Sequence, residues 1–155
     1  MDETLDKLRA FPSRLSAATE GLDSAMTARL EREDGWSIAD VVAHLGDLEL
    51  VYAVRIRTIL AGAGETPLPA LDQNAWIERV HRREPLGELL EQFRFQRGHN
   101  LALLERLSDD ELERSGLHPQ YGPLTVRGAA ERIARHDEKH LAQLERIKAA
   151  VKASS

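Results

Sequence analysis

The sequence contains no cysteine. Disulfides, thiolate nucleophiles and cysteine metal sites are therefore excluded, which leaves histidine and carboxylate as the strong metal ligands. No apolar run is long enough to span a bilayer. The first residues lack the basic, apolar, small-residue succession of a signal peptide, so the expected location is the cytoplasm, with no membrane partner. Nor is there a basic excess: 21 Lys and Arg stand against 26 Asp and Glu, for a net charge of −5. Arginine and glutamate are interleaved, a pattern of solvated helix faces that argues against a nucleic-acid partner. No segment alternates apolar and polar residues over a useful length, and no internal repeat or low-complexity segment is evident.

What is present is helical periodicity. The 155 residues, 42% apolar and 30% charged, suit one globular domain spanning 1–155. Leu5, Leu8, Phe11, Leu15 and Ala18 recur at steps of three and four and predict a first helix over 2–20, kinked by Pro12 or starting near Phe11. Met26 and Leu30 are candidate packing residues, and 31–35 reads as a turn. Ser37 opens a second helix over 37–61 with Asp40 as its capping-box partner, Trp36 stapled ahead of Val41, and Gly62 at the end. A short helical piece is expected near 72–82. A third long helix spans 85–107, with Pro85 in its first turn and Gly98 as an internal weak point. Ser108 caps a short turn, 115–123 is a loop of turn residues, and Thr125 caps a fourth helix over 125–151 before a fraying tail. The fold class is therefore all-α: a four-helix bundle with no sheet. The connection from Gly62 to Glu84 is too long for a tight hairpin, and can cross the bundle so that helices two and three run parallel.

The last helix carries His136-Asp137-Glu138-Lys139-His140. Histidines four apart stack on one helix face and can share a transition metal if a third ligand arrives from elsewhere. The pair alone is a weak motif, since two partly buried histidines bonded to carboxylates would look the same. Both, however, lie beside the core-facing stripe of Ile133 and Leu144, where a desolvated imidazole needs a partner. His44, between Val41 and Leu48 on helix two, sits in a similar context and is the best third ligand. A zinc-protease His-Glu-x-x-His reading fails, because Asp137 occupies the position of the catalytic glutamate and no downstream histidine follows. Asp40 and Asp47 are each read equally as partners orienting His44 or as solvated charges. Asp137 points about 100° away from His136 and is not read as a base. Trp36 and Trp76 are assigned to core packing, with a pocket wall as the other role. Arg97 is assigned to a surface ion pair, with a substrate carboxylate as the other partner. His81, His99 and His118 are assigned to surface or loop.

Trp36-Ser37 followed by Val42-Ala43-His44-Leu45-Gly46-Asp47, then Asp72-Gln73-Asn74-Ala75-Trp76, then Gly122-Pro123-Leu124-Thr125-Val126 and His136 to Leu144, resemble in order and spacing the signature segments of the DinB/YfiT-like superfamily. The resemblance covers nearly the whole chain. It implies an up-down-down-up four-helix bundle and a homodimer. It also implies one divalent metal ion per chain, zinc or nickel, held by His44, His136 and His140. Characterised relatives include S-transferases and isomerases that use low-molecular-weight thiols; others have no known activity, and the founding name reflects damage-inducible expression. Three histidines leave a fourth coordination position open. The expected activities are S-transfer of a small thiol to an electrophilic small molecule, hydrolysis by activated water, or a non-catalytic stress-response module that merely binds metal. No catalytic side chain is identified. Because the ligands must be neutral imidazoles, metal affinity is expected to fall as pH drops through about 6.

Overall fold

A computed structural model describes residues 1–30, 35–81 and 84–153. In chain order the elements are α1 (Asp2–Thr19), α2 (Ser24–Ala28), α3 (Ile38–Ala61), α4 (Gln73–Arg79), α5 (Leu86–Leu104), α6 (Asp109–Leu112), β1 (Ser115–His118), β2 (Gly122–Thr125) and α7 (Val126–Ala153). The four long helices are those that the apolar spacing predicts. Ser37 and Asp40 form the expected capping box: each side chain accepts the other's backbone N–H, at 3.1 and 2.8 Å. Thr125 starts α7 by accepting the Gly128 N–H at 2.9 Å. Residues 31–34 of the expected turn, Arg82 of the short helix, and Ser154 and Ser155 of the tail lie outside the described residues. Leu30 does not pack as expected. It follows the end of α2 and is 47% exposed, while Met26 packs onto the core.

Two apolar clusters fix the helix directions. One joins Leu8 with Leu48 to Ile59, Leu101, Leu104 and Val126 to Ala134. The other joins Phe11 and Leu15 with Ile38 to Leu45, Leu89, Phe93 and Leu144 to Val151. The beginning of α3 therefore meets the beginning of α5 but the ends of α1 and α7. The order is up-down-down-up, with α3 and α5 parallel.

The connection between those parallel helices is stitched to a hairpin that the sequence reading does not contain. β1 and β2 pair antiparallel, Ser115 opposite Thr125 and His118 opposite Gly122. Gly122, which opens β2 directly after the three-residue loop of Pro119, Gln120 and Tyr121, has φ +73°, the left-handed position that such a hairpin needs. Leu117 donates its N–H to Thr66 and accepts that of Leu68, at 2.8 and 2.9 Å. Gly116 lies where a Cβ would sit 2.9 Å from the Thr66 carbonyl oxygen, 2.9 Å from Leu68 and 3.1 Å from Ile59. Gly116→Ala is accordingly expected to destabilise the protein by about 1–3 kcal/mol, because a backbone atom must move. Gly98→Ala on open α5 surface should instead stabilise it by up to about 1 kcal/mol. Urea unfolding of the two variants checks the opposite signs.

Pro12 sits inside an unbroken α1. Proline has no N–H, so the Leu8 carbonyl loses its helical donor. The Arg97 guanidinium replaces it: Nη1–H donates to the Leu8 oxygen at 3.1 Å. Arg97 is not on the surface, as the sequence reading has it, but 1% exposed. It pairs with Glu49 at 2.8 Å and with both oxygens of Asp137 at 2.9–3.0 Å, and its guanidinium lies against the edge-to-face pair of Phe11 and Phe93, 5.6 and 4.9 Å from their ring centroids. Asn100 donates to the other Glu49 oxygen at 2.9 Å. The freed carbonyl and two carboxylates make this interior position polar, which explains why a charge is found there.

Candidate metal centre

His44 lies two turns into α3, and His136 and His140 lie mid-way along antiparallel α7. The crossing of the two helices brings the three imidazoles together. One ring nitrogen from each lies within 4.8 Å of the others. The His136 Nε2 is 3.1 Å from that of His44 and 3.0 Å from that of His140. His44 and His140 are buried and His136 is half-buried.

The donor set fits a metal ion. A neutral imidazole has one N–H, so three nitrogens converging on one point cannot satisfy one another. A tetrahedral ion with bonds of about 2.0–2.1 Å holds its ligand atoms about 3.3 Å apart, close to the spacing seen. The His140 Nδ1–H donates to Gln143 Oε1 at 2.8 Å, which leaves the Nε2 lone pair facing the other rings. Burial, reinforced by the neighbouring charges of His140 and Lys139, pushes His44 down to about 3. Burial, with His140 and His44 beside it, pushes His136 down to about 2. Burial takes His140 down to about 4, against the pull of Gln143. All three are thus neutral, with lone pairs available, throughout the physiological range.

Trp36 packs against the core, as assigned from sequence, and is also a wall of this site. Its ring centroid is 4.9 Å from that of His44 and 6.2 Å from that of His140, nearly parallel to the latter. Asp40 serves the helix cap. Asp47 neither orients His44 nor faces solvent: it is buried and accepts the His81 Nε2–H at 2.7 Å. Burial raises the Asp47 pKa, against the pull of His81. Burial also lowers that of His81, but hydrogen bonds and charge from Asp47 and Glu84 outweigh it and raise it overall. His81 is therefore not a plain surface residue. His118 is buried too, 6% exposed, because strand β1 turns its inward positions, Gly116 and His118, toward the bundle. His99 is exposed, as expected.

The centre is open on one side. A cleft of about 750 Å³ runs from His44 and His136, past Leu48 and Tyr52, to the hairpin. That volume is within the range of small-molecule sites. Among the described residues no helix is long and apolar enough to cross a membrane.

A sequence model of the DinB superfamily matches residues 7–144. A Bacillus subtilis protein named "Putative metal-dependent hydrolase YfiT" is 28% identical over 149 residues, covering 92% of this chain and 81% of its own. A relative from Oceanobacillus iheyensis with the same style of name is 25% identical over 142 residues, covering 92% and 82%. The solved structure of the B. subtilis YfiT, described as a metal-dependent hydrolase of unusual four-helix bundle topology with the qualifier "probable", superposes with a TM-score of 0.86 at 26% identity, covering 94% of this chain and 84% of that one. A second solved four-helix bundle protein, at 24% identity and a TM-score of 0.65, shares the fold.

Proposed function

We propose, for a chain that belongs to the DinB superfamily, that His44, His136 and His140 hold one divalent metal ion, zinc or nickel, and that the protein is a metal-dependent enzyme acting on a small molecule in the adjoining cleft. The observation that carries this reading is the opening of the histidine cluster onto that cleft. A purely structural metal would be closed off by a fourth protein ligand, and among the described residues no fourth His, Asp or Glu joins the cluster. Bound there, a divalent ion would lower the pKa of a thiol or water at its open position and so supply a nucleophile at neutral pH.

The chain's own residues set the stage. Gln143 fixes the His140 ring, Trp36 shields two imidazoles on one side, and Leu48 and Tyr52 give the cleft an apolar wall near the histidines. The first reading is S-transfer, in which a low-molecular-weight thiol is the nucleophile and an electrophilic small molecule the acceptor. The absence of cysteine makes the thiol a substrate rather than a side chain. The second reading, hydrolysis by activated water, is favoured by the names of the relatives.

Cobalt-loaded protein separates the two. Under the first reading, added cellular thiols produce a sulfur-to-metal charge-transfer band, and thiol is consumed with an electrophile. Under the second, thiols leave the spectrum unchanged while esters or amides are cleaved in a metal-dependent way. Tightly held metal with neither behaviour would overturn the enzyme assignment.

A further inference from the structure

Although the chain is acidic overall, the cleft beside the histidines is not. Arg55, Arg132, Arg135 and Lys139 line it, against one acid, Asp72. Asp72 is engaged in capping α4, where it accepts the Ala75 N–H at 3.1 Å. The sequence reading takes these cations for solvated helix charges. Helical spacing instead aligns Arg132, Arg135 and Lys139 along the face of α7 that carries His136, and Arg55 along the face of α3 that carries His44.

Two of these guanidiniums lack a carboxylate. Arg55 is 4% exposed, and its hydrogen bonds go to the uncharged Pro69 carbonyl, from Nε at 3.0 Å and Nη2 at 2.8 Å. Arg132 lies 3.8 Å over the Tyr121 ring. Among the described residues no Asp or Glu forms an ion pair with Arg55, Arg132 or Lys139. Burial and the nearby charge of Arg132 both count against the Arg55 cation, with Tyr52 favouring it. A buried guanidinium facing a second one is costly unless an anion joins them. His118 completes the group. Its Nδ1 accepts the Gln120 N–H at 3.2 Å, which leaves the ring proton on Nε2. Burial, Arg55 and Arg132 push its pKa down to about 4, so it is a neutral donor rather than a third cation.

We propose that the hairpin end of the cleft, formed by Arg55, Arg132 and His118, is an oxyanion site that takes the carboxylate or phosphate group of an extended small-molecule substrate whose other end reaches the three histidines. Arg132 lies one turn of α7 from His136, roughly 6 Å, and Arg55 lies about three turns of α3 from His44, roughly 16 Å. The substrate class is therefore an anionic molecule on the order of 10 Å long between its charged group and its reacting atom. Two guanidinium forks suit a planar or tetrahedral oxyanion better than point charges would. The assignment deepens the enzyme reading, on which it rests for the word substrate. The anion site itself requires no metal.

The test uses full-length protein at fixed ionic strength, metal-free and metal-loaded, titrated with succinate and, separately, with inorganic phosphate, by calorimetry or amide chemical shifts. Saturable binding of either to the metal-free protein is expected, with shifts at the hairpin. Succinamide, the uncharged twin, should not bind. Arg132→Gln, on a partly exposed position that leaves the core intact, should weaken binding about tenfold or more. Arg55→Gln should do the same if it folds, and Arg132→Gln decides the matter if it does not. His136→Ala should lose the metal and keep the anion. The proposal is overturned by absence of saturable binding, by binding unchanged in Arg132→Gln, or by binding that needs the metal and vanishes with His136. Anion binding without any turnover would sustain the site and count against the enzyme reading alone.

Discussion

Replacing His136 with alanine is expected to lower metal affinity by roughly 100-fold or more, beyond the 10- to 100-fold that loss of an outer-shell partner costs. His136 is the middle of the cluster, in contact with both other imidazoles, so its removal leaves two ligands that no longer enclose a point. His44→Ala and His140→Ala should act similarly. Gln143→Leu should cost less, because it removes only the hydrogen bond that orients the His140 ring. His99→Ala, on an exposed face of α5, should change nothing. Competition titration against a chelator measures the series. Equal affinity in the three histidine variants and wild type would end the site assignment.

The pH dependence of that affinity should depart from the sequence expectation of a fall near pH 6. Protons compete with the metal only below the pKa of the empty site's imidazoles. Burial holds those values at about 3, 2 and 4 for His44, His136 and His140. The shift is downward, so the neutral, metal-competent form persists through pH 6 and gives way only as pH falls toward about 4. Affinity measured at fixed free metal should be nearly flat between pH 7 and 5. A tenfold loss between pH 7 and 6 would mean that the cluster is more hydrated than its packing against Trp36 indicates.

The histidine cluster was legible in the sequence because a helix converts spacing into direction. Positions 136 and 140 must share a face, and the surrounding apolar stripe says that this face is inward. His44 was legible for the same reason. The hairpin was not. Its two inward β1 positions are Gly116 and His118, neither of which registers as apolar, so the alternation that marks a strand is invisible. With the hairpin hidden, nothing linked His118 to Arg55 and Arg132, which are far apart in sequence. Arg97 was misplaced because α5 has two kinds of inward position, and a charge on a helix is ordinarily solvated. The clue lay outside α5: Pro12 frees a carbonyl in the core, and Glu49 and Asp137 occupy inward positions of α3 and α7. Charges that are individually uninformative become informative only when three helices bring them to one place.

Arg97→Met is expected to cost about 3–5 kcal/mol, the size associated with stranding a buried charge. One guanidinium faces two carboxylates, so its loss leaves Glu49 and Asp137 buried together and the Leu8 carbonyl without its donor. Burial already raises Asp137 to about 7, against the opposing pull of Arg97. The sign follows. The folded state holds this proton more tightly than the unfolded chain, whose aspartate titrates near 3.9. Asp137 therefore weighs increasingly against folding as pH rises from about 4 to about 7, and contributes no such penalty below that window. Without Arg97 the carboxyl loses its stabilising cation, so the penalty of Arg97→Met should grow from pH 5 to pH 8. Asp137→Asn should be far milder, because it leaves one carboxylate for one guanidinium. Adding Asp137→Asn to Arg97→Met should restore part of the lost stability, most clearly at pH 8. Urea unfolding of metal-free protein at both pH values measures each of these. A cost below 1 kcal/mol that ignores pH would show that water reaches the group and that helix packing alone holds α1, α3, α5 and α7 together.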